Sequence, residues 1–116
     1  MSHKHAGDAY LGEFELVVLL AILRLDADAY GVSIRDEIER ETSRAVTLGA
    51  IYKTLGRMER KRYVSSHVGD PTPQRGGRAK KLYRLEPAGS RAVKQSYADL
   101  RRLTRGLGRA LETGTP

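Results

Sequence analysis

Cysteine is absent from the 116 residues of the chain, which excludes disulfide bonds and thiolate chemistry. Long hydrophobic runs are absent too. The longest, Leu16 to Leu23, is far shorter than the roughly 20 residues that a membrane-spanning helix needs. The first residues also lack the basic region, apolar stretch and cleavage site of a signal peptide. Together with the length of the chain, these absences predict a single-domain cytoplasmic protein without a membrane partner.

The residue patterns of common enzymes are missing as well. No cluster of His, Asp and Glu forms a ligand set, and no glycine-rich phosphate loop follows a predicted strand. His3 and His5 stand near the N-terminus without the further ligands that a metal site needs. Gly76-Gly77 falls in a predicted hairpin tip, where it serves a turn. We therefore expect no catalytic residues, no metal and no cofactor.

Acidic residues are scarce in the second part of the chain. Residues 1–43 hold four Lys/Arg and nine Asp/Glu, whereas residues 44–116 hold 17 Lys/Arg and only five Asp/Glu, for a net charge of +7. A basic majority confined to one part of the sequence predicts a basic face, whose natural partner is a polyanion and first of all nucleic acid. An anionic membrane surface is the weaker alternative, because no basic segment lies beside a large exposed apolar face.

Two helices are predicted in the acidic part. The first, Glu13 to Leu25, is apolar almost all round between Leu16 and Leu23. Because so short a chain has little protein to cover it twice, we expect one side in the domain core and another against a second subunit. Ile34 and Ile38 form the buried stripe of the second helix, Val32 to Thr42. Its charged residues are expected to point outward: Arg35, Asp36, Glu37, Glu39, Arg40 and Glu41.

The stretch from Thr47 to Arg62 is predicted to be the third helix, with Thr47 as its N-cap. Its core-facing stripe follows the helical period and consists of Leu48, Ile51, Leu55 and Met58. The opposite face is small, polar or cationic and consists of Ala50, Lys53, Thr54, Arg57 and Lys61. Such a helix suits insertion into a DNA major groove. Taken alone, it fits equally well an amphipathic helix whose polar face meets only water.

A β-hairpin is predicted after this helix. Its strands are Tyr63 to Val68 and Lys80 to Leu85, and its tip, rich in Gly and Pro, runs from Gly69 to Arg78. The tip and the second strand carry four cations, which are Arg75, Arg78, Lys80 and Lys81. We interpret the hairpin as a wing whose cations contact the DNA backbone or the minor groove. A loop that meets only water is the alternative.

The last helix is predicted from Pro87 to about Leu111. Val93, Leu100 and Leu107 are spaced by seven residues, which predicts packing along another long helix: the first helix, a second subunit, or both. The predicted fold class is mainly α with a small β-hairpin: a winged helix-turn-helix with a C-terminal dimerisation helix. We expect a flexible tail at residues 1–10, the DNA-binding domain at 11–86, and the dimerisation helix with a frayed tail at 87–116.

Several segments resemble the PadR family of bacterial transcriptional regulators. They are Leu11-Gly12, Tyr30-Gly31, Leu48-Gly49-Ala50-Ile51-Tyr52-Lys53-Thr54-Leu55, Arg75-Gly76-Gly77-Arg78, Lys81-Leu82-Tyr83-Arg84-Leu85 and Pro87-Ala88-Gly89. The resemblance implies a homodimeric repressor that binds pseudo-palindromic operator DNA and dimerises through its C-terminal and first helices. Arg62 stands where the family usually has glycine, so a left-handed backbone there would carry a penalty. Glu86 stands where a Thr, a better N-cap, is usual.

The residue patterns and the resemblance together predict a DNA-contacting set and a dimer-interface set of residues. The residues expected to contact DNA are Thr47, Gly49, Ala50, Tyr52, Lys53, Thr54, Arg57, Lys61, Arg75, Arg78, Lys80 and Lys81. Among them, Lys53 or Arg57 is the expected reader of guanine. The residues expected at a dimer interface are Phe14, Val17, Leu20, Leu23, Val93, Tyr97, Leu100, Leu103 and Leu107. That interface could admit a small hydrophobic effector, although we favour a dry core. A winged-helix adaptor and an RNA-binding module are the alternatives to a DNA-binding regulator.

Overall fold

The computed structural model describes residues 10–69 and 79–112 of the chain. The elements there are α1 (Glu13–Leu25), α2 (Gly31–Glu41), α3 (Leu48–Arg60), β1 (Val64–Val68), β2 (Lys81–Leu85), α4 (Pro87–Thr104) and α5 (Gly108–Leu111). The predicted class, mainly helical with one small hairpin, is confirmed. No helix in these two ranges is long and apolar enough to cross a membrane. The predicted tail with His3 and His5, the wing tip with Arg75 and Arg78, and residues 113–116 lie outside the described residues.

The core forms where α1, α2 and α3 meet the base of the hairpin. Its buried apolar residues are Val18, Leu19, Ala21, Ile22, Ala29, Ile34, Ile38, Ile51, Leu55, Met58, Val64, Tyr83 and Val93. The stripe predicted for α3 is confirmed for Ile51, Leu55 and Met58, which are at most 1% exposed, while Leu48 is half-buried. Each fully buried Val, Leu, Ile or Met side chain of this core stabilises the fold by about 1.5–3 kcal/mol relative to leaving it in water.

Helix α1 has one buried face and one open face. Val18, Leu19 and Ile22 are buried, whereas Leu20 and Leu23 are 42% and 51% exposed. The side of α1 that we expected in the domain core is therefore buried in it. The opposite side, which we expected to meet a second subunit, is uncovered in the single chain.

Both ends of α3 are fixed by local hydrogen bonds. The Thr47 hydroxyl accepts the Ala50 N–H at 3.1 Å, which confirms Thr47 as the N-cap. At the other end, the Tyr63 N–H donates to the Met58 carbonyl at 2.9 Å, which closes a Schellman motif. Arg62 sits at the left-handed position of that motif, with φ of 63°. A side chain there costs about 1–2 kcal/mol, and only glycine escapes this cost.

The hairpin is anchored at its base. β1 and β2 pair antiparallel, with Val64 opposite Leu85. The Tyr83 N–H donates to the Ala29 carbonyl at 2.8 Å, which ties β2 to the segment before α2. Tyr83 is buried, and this burial raises the pKa of its hydroxyl above the usual value of 10.0, against the opposing influence of Lys81. The two strands of the hairpin are therefore held firmly against the helical part of the fold.

The last helix differs from its prediction in two respects. It ends at Thr104 and not near Leu111, because Gly106 adopts a φ of 81° and the chain resumes as α5. Leu107 is consequently not on the same helix as Leu100. Val93 was predicted at a dimer interface, but it is only 6% exposed and packs in the core of its own chain.

Glu37 of α2 lies inside the protein, although we expected it to point outward. Its side chain is 7% exposed, and one carboxylate oxygen lies 2.6 Å from Arg24 Nε of α1. The other oxygen pairs with Arg40. A carboxylate removed from water needs such cationic partners, because desolvation otherwise penalises its charge. Arg24 also reaches Glu41 at 3.0 Å, so an ionic network joins α1 to α2.

Candidate nucleic-acid interface

The first half of α3 presents an open face. Thr47, Gly49 and Lys53 are exposed there, and Ala50 is half-buried. A Cβ at Gly49 would meet only the Thr47 hydroxyl, at 4.0 Å, so no packing within the chain requires a glycine. Lys53 enters no ion pair within residues 10–69 and 79–112. This face therefore offers close access to the helix backbone and a cation that no described neighbour neutralises.

Tyr52 connects this face to α2. It is 48% exposed, and its ring lies against Gly31 at the start of α2. A Cβ at Gly31 would be only 2.1 Å from the Tyr52 hydroxyl oxygen, so the glycine makes room for the ring. Tyr52 thus fastens α3 to α2 and keeps part of its surface open on the predicted DNA face.

Two residues predicted on the open face lie elsewhere. Thr54 is 2% exposed, because it follows Ile51 by three residues and shares the buried stripe of α3. Its predicted outward position was wrong. The Arg57 guanidinium points toward α1, where Nε lies 3.3 Å from Glu15 Oε2. Of the two expected guanine readers, only Lys53 remains on the open face.

Three other lysines that we predicted to contact DNA lie at the end of α3 and at or just before the start of β2. Lys61 is the exposed C-cap residue of α3. The Lys80 ammonium lies 4.2 Å from the centroid of the Tyr30 ring, and the Lys81 ammonium lies 3.9 Å from a Glu59 carboxylate oxygen. All three lysines are exposed. They provide positive charge beside the hairpin, although Glu59 partly neutralises Lys81.

Sequence reasoning missed the ion pairs that hold this face in position. Glu15 and Arg57 are 42 residues apart, and Arg24 and Glu37 are 13 apart. Helical periodicity reports neighbours within one element, so no signal in the sequence indicated these pairs. They join α1 to α3 and to α2. Within residues 10–69 and 79–112, no group of three His, Asp or Glu residues is suited to a metal ion.

A second candidate surface lies on the last turns of α4. Tyr97, Leu100 and Leu103 are 62%, 50% and 73% exposed, and we call these three residues the arm face. Singly exposed apolar residues are ordinary, but adjacent ones mark a contact surface. Leu107, between α4 and α5, is 45% exposed and extends the apolar character of this end.

An apolar cleft of about 170 Å³ opens between α1 and α2. Its lining residues are Val17, Leu20, Ala21, Arg24, Glu37, Ile38, Glu41 and Thr42. Val17 and Leu20 belong to the predicted dimer set, and Val17 is half-buried. Phe14 is also half-buried and packs against the core.

A model of the transcriptional regulator PadR-like family matches residues 19–95. That span runs from the middle of α1 to the first half of α4 and includes most of the chain. The chain belongs to the PadR-like family of transcriptional regulators. The resemblance drawn from the sequence is confirmed. No curated protein shows a significant match to the chain.

Solved structures of several regulators are similar to this PadR-like chain. A PadR family transcription regulator from Clostridium difficile is 26% identical, with a TM-score of 0.65, over 84% of this chain and 98% of that one. A PadR-like transcriptional regulator from Bacillus cereus is 17% identical, with a TM-score of 0.69, over 85% and 91%. A transcriptional regulator from Clostridium thermocellum is 18% identical, with a TM-score of 0.65, over 97% and 99%. The last two matches establish a shared fold.

Proposed function

We propose that this PadR-like chain is a sequence-specific repressor that binds a pseudo-palindromic DNA operator as a homodimer. The observation that carries the proposal is the open first half of α3. Gly49 and Ala50 let the helix backbone approach base edges, and Lys53 can donate to O6 and N7 of guanine. One α3 from each subunit enters the major groove, so the half-sites lie about 10 bp apart, one helical turn.

The contacts divide into two kinds. Thr47, Gly49, Ala50, Lys53 and the open part of Tyr52 face the bases. Lys61, Lys80 and Lys81, with Arg75 and Arg78 of the wing, meet phosphates. Base contacts carry sequence information, whereas phosphate contacts supply affinity and register. Thr54 and Arg57 are not included as direct contacts, because the first is buried and the second pairs with Glu15.

Support for the dimer comes from two surfaces that a single chain leaves uncovered. The arm face exposes adjacent apolar side chains on α4, and the α1–α2 cleft offers an apolar hollow. A cleft of about 170 Å³ is smaller than the roughly 300–1,000 Å³ of drug-sized ligand pockets. It therefore suits a side chain of the second subunit better than an effector.

A binding titration tests the proposal. Duplexes from the promoter region of the protein's own gene are compared with random duplex at several salt concentrations by fluorescence anisotropy. Affinity should fall steeply with salt, with a slope of about −0.9 per neutralised phosphate. Lys53→Ala should lower the operator-to-random affinity ratio by roughly 5-fold to 150-fold, the range of one base contact. Lys94→Ala is the matched control, because Lys94 is an exposed lysine on α4.

Three results would contradict the proposal. They are a flat salt dependence, a wild-type ratio of one, or equal losses from Lys53→Ala and Lys94→Ala. Competition by structured RNA as strong as that by operator would favour an RNA-binding module instead. Transcription in vitro from the bound promoter should decrease as the protein is added. An increase would indicate an activator.

A further inference from the structure

The Glu15–Arg57 ion pair links the first turn of α1 to the middle of α3. The side chain of Glu15 is only 13% exposed, and that of Arg57 is 40% exposed. Arg57 Nε donates to Glu15 Oε2 at 3.3 Å. The arginine is one helical turn beyond Lys53 on the same helix, so its direction is coupled to the way in which α3 presents its open face.

Both oxygens of the Glu15 carboxylate are engaged. Oε1 accepts the Gly12 N–H at 2.8 Å, which is the half of a capping box that a glycine N-cap allows. Arg57 has a second anchor as well, since Nη2 lies 3.4 Å from the hydroxyl oxygen of buried Thr54. A carboxylate that is largely removed from water strongly disfavours losing its cation, because its charge is then uncompensated. The pair therefore has one preferred geometry.

The Glu15–Arg57 pair belongs to a helix contact that is already packed. Leu19 and Ile22 of α1 share the buried core with Ile51 of α3. Apolar contacts are non-directional, whereas a charge-assisted hydrogen bond adds geometric specificity. The pair is therefore placed to fix the rotation of α3 against α1.

We propose that Glu15 and Arg57 are a positioning pair, which sets the rotation of α3 in the groove so that Lys53 can read its base. In this role Arg57 acts through Lys53 and touches neither base nor phosphate. The inference rests on the proposed function, because it needs a preferred operator. It differs from the simple reading of Arg57 as a cation that binds DNA.

Two substitutions that change the net charge in opposite directions distinguish a positioning role of Arg57 from a phosphate-binding role. Glu15→Gln raises the net charge of the chain by one, and Arg57→Gln lowers it by one. If Arg57 bound phosphate, the first substitution would release a cation and strengthen binding, and the second would weaken binding and reduce the salt slope by about 0.9. For a positioning pair, both substitutions lower discrimination in the same direction, and the salt slope stays unchanged.

The experiment uses the full chain and an operator that the wild type selects from a pool of random duplexes. The operator-to-scrambled affinity ratio is measured for wild type, Glu15→Gln, Arg57→Gln and the double variant. Each single substitution should lower the ratio by about tenfold, on the scale of one base contact. The double variant should have a ratio no lower than that of the single variant with the lower ratio, because both substitutions break the same interaction. Arg57→Lys keeps a cation for Glu15 and should recover part of the ratio.

Glu112→Gln and Arg91→Gln make the same charge changes at exposed positions and should leave the ratio unchanged. A purely structural role reduces the folded fraction, which lowers both affinities equally and leaves the ratio unchanged, and this result would overturn the proposal. Opposite effects of the two single variants would also overturn it. If selection with the wild type yields no preferred operator, the proposed function is contradicted, and that result is independent of the Glu15–Arg57 pair.

Discussion

Leu19 of α1 and Ile51 of α3 are completely buried within one chain, whereas Leu100 and Leu103 of α4 are 50% and 73% exposed. All four are large aliphatic side chains on amphipathic helices, so residue type does not explain the difference. The covering elements explain it. Helices α1 to α3 cover one another, while residues 101–112 are exposed throughout. The winged-helix part buries its core by itself, whereas the arm face stays open in the single chain.

Helix α4 belongs to both parts. Ala92 and Val93 are 6% exposed and lie in the winged-helix core, but Tyr97, one turn later, is 62% exposed. We therefore propose that the boundary lies within α4, between Val93 and Tyr97, and not before Pro87 as the sequence suggested. A continuous helix across the boundary makes the arm a rigid extension of the DNA-binding part. In the proposed dimer, the contact of this arm with the second subunit would then fix the distance between the two α3 helices and so the half-site spacing.

One methyl group at the start of α4 should disrupt the winged-helix part most. A Cβ at Gly89 would lie 2.1 Å from the Tyr63 carbonyl oxygen, and a backbone atom cannot rotate away. We predict that Gly89→Ala lowers the free energy of unfolding by about 3 kcal/mol, measured by urea denaturation at fixed protein concentration. At Gly56 of α3, a Cβ would meet only Arg60 Nη1, at 3.6 Å. Gly56→Ala should therefore be neutral or stabilising by up to about 1 kcal/mol. Similar losses from both substitutions would contradict this account.

A substitution on the arm face should weaken the association of two chains and leave the stability of each chain unchanged. Leu103→Lys should raise the dissociation constant of the proposed dimer by roughly a hundredfold or more, because each of the two subunits loses an apolar contact worth about 1.5–3 kcal/mol. Sedimentation equilibrium measures this change. Val68→Lys is a matched control, since Val68 is 70% exposed on the hairpin, and it should leave the constant unchanged. A monomeric wild type, or equal effects of the two substitutions, would remove the distinction between the two parts.

The smallest expected change in stability is at the strained C-terminal end of α3, in the winged-helix part. Arg62 has a φ of 63°, so Arg62→Gly should raise the free energy of unfolding by about 1 kcal/mol. Its neighbour Lys61 has a φ of −81° and lies in the ordinary helical region. Lys61→Gly should lower stability, because glycine there only adds flexibility to the unfolded chain. Urea midpoints of the two variants should move in opposite directions, and a shared direction would contradict the left-handed assignment.

Local features of the fold followed from the sequence with good accuracy. The N-cap at Thr47, the α3 stripe of Ile51, Leu55 and Met58, and both strands agree with the structure to within two residues. Helical and strand periods are properties of neighbouring residues, so the sequence contains them. The end of α4 did not follow, because the seven-residue spacing continues to Leu107 across Gly106. Spacing alone does not report a backbone angle.

The candidate site was less predictable, because exposure depends on what lies opposite each side chain. Lys53, Thr54 and Arg57 are all polar and were all expected on one face. The structure leaves Lys53 open, buries Thr54 beside Ile51, and turns Arg57 toward Glu15. The distinction between the first two depends on the exact rotation of α3 against α1 and α2. A rotation of this kind is a relation between helices.

The element order, the basic second half and the resemblance to PadR regulators can all be read from the printed sequence, since each depends on residue identity or on near neighbours. The inward position of Val93, the burial of Glu37 with Arg24 and Arg40, and the Glu15–Arg57 pair appear only in the folded chain. These contacts join side chains on different helices or place a helix against the core. Their distances are set by how the helices pack, and no period within one helix contains that information.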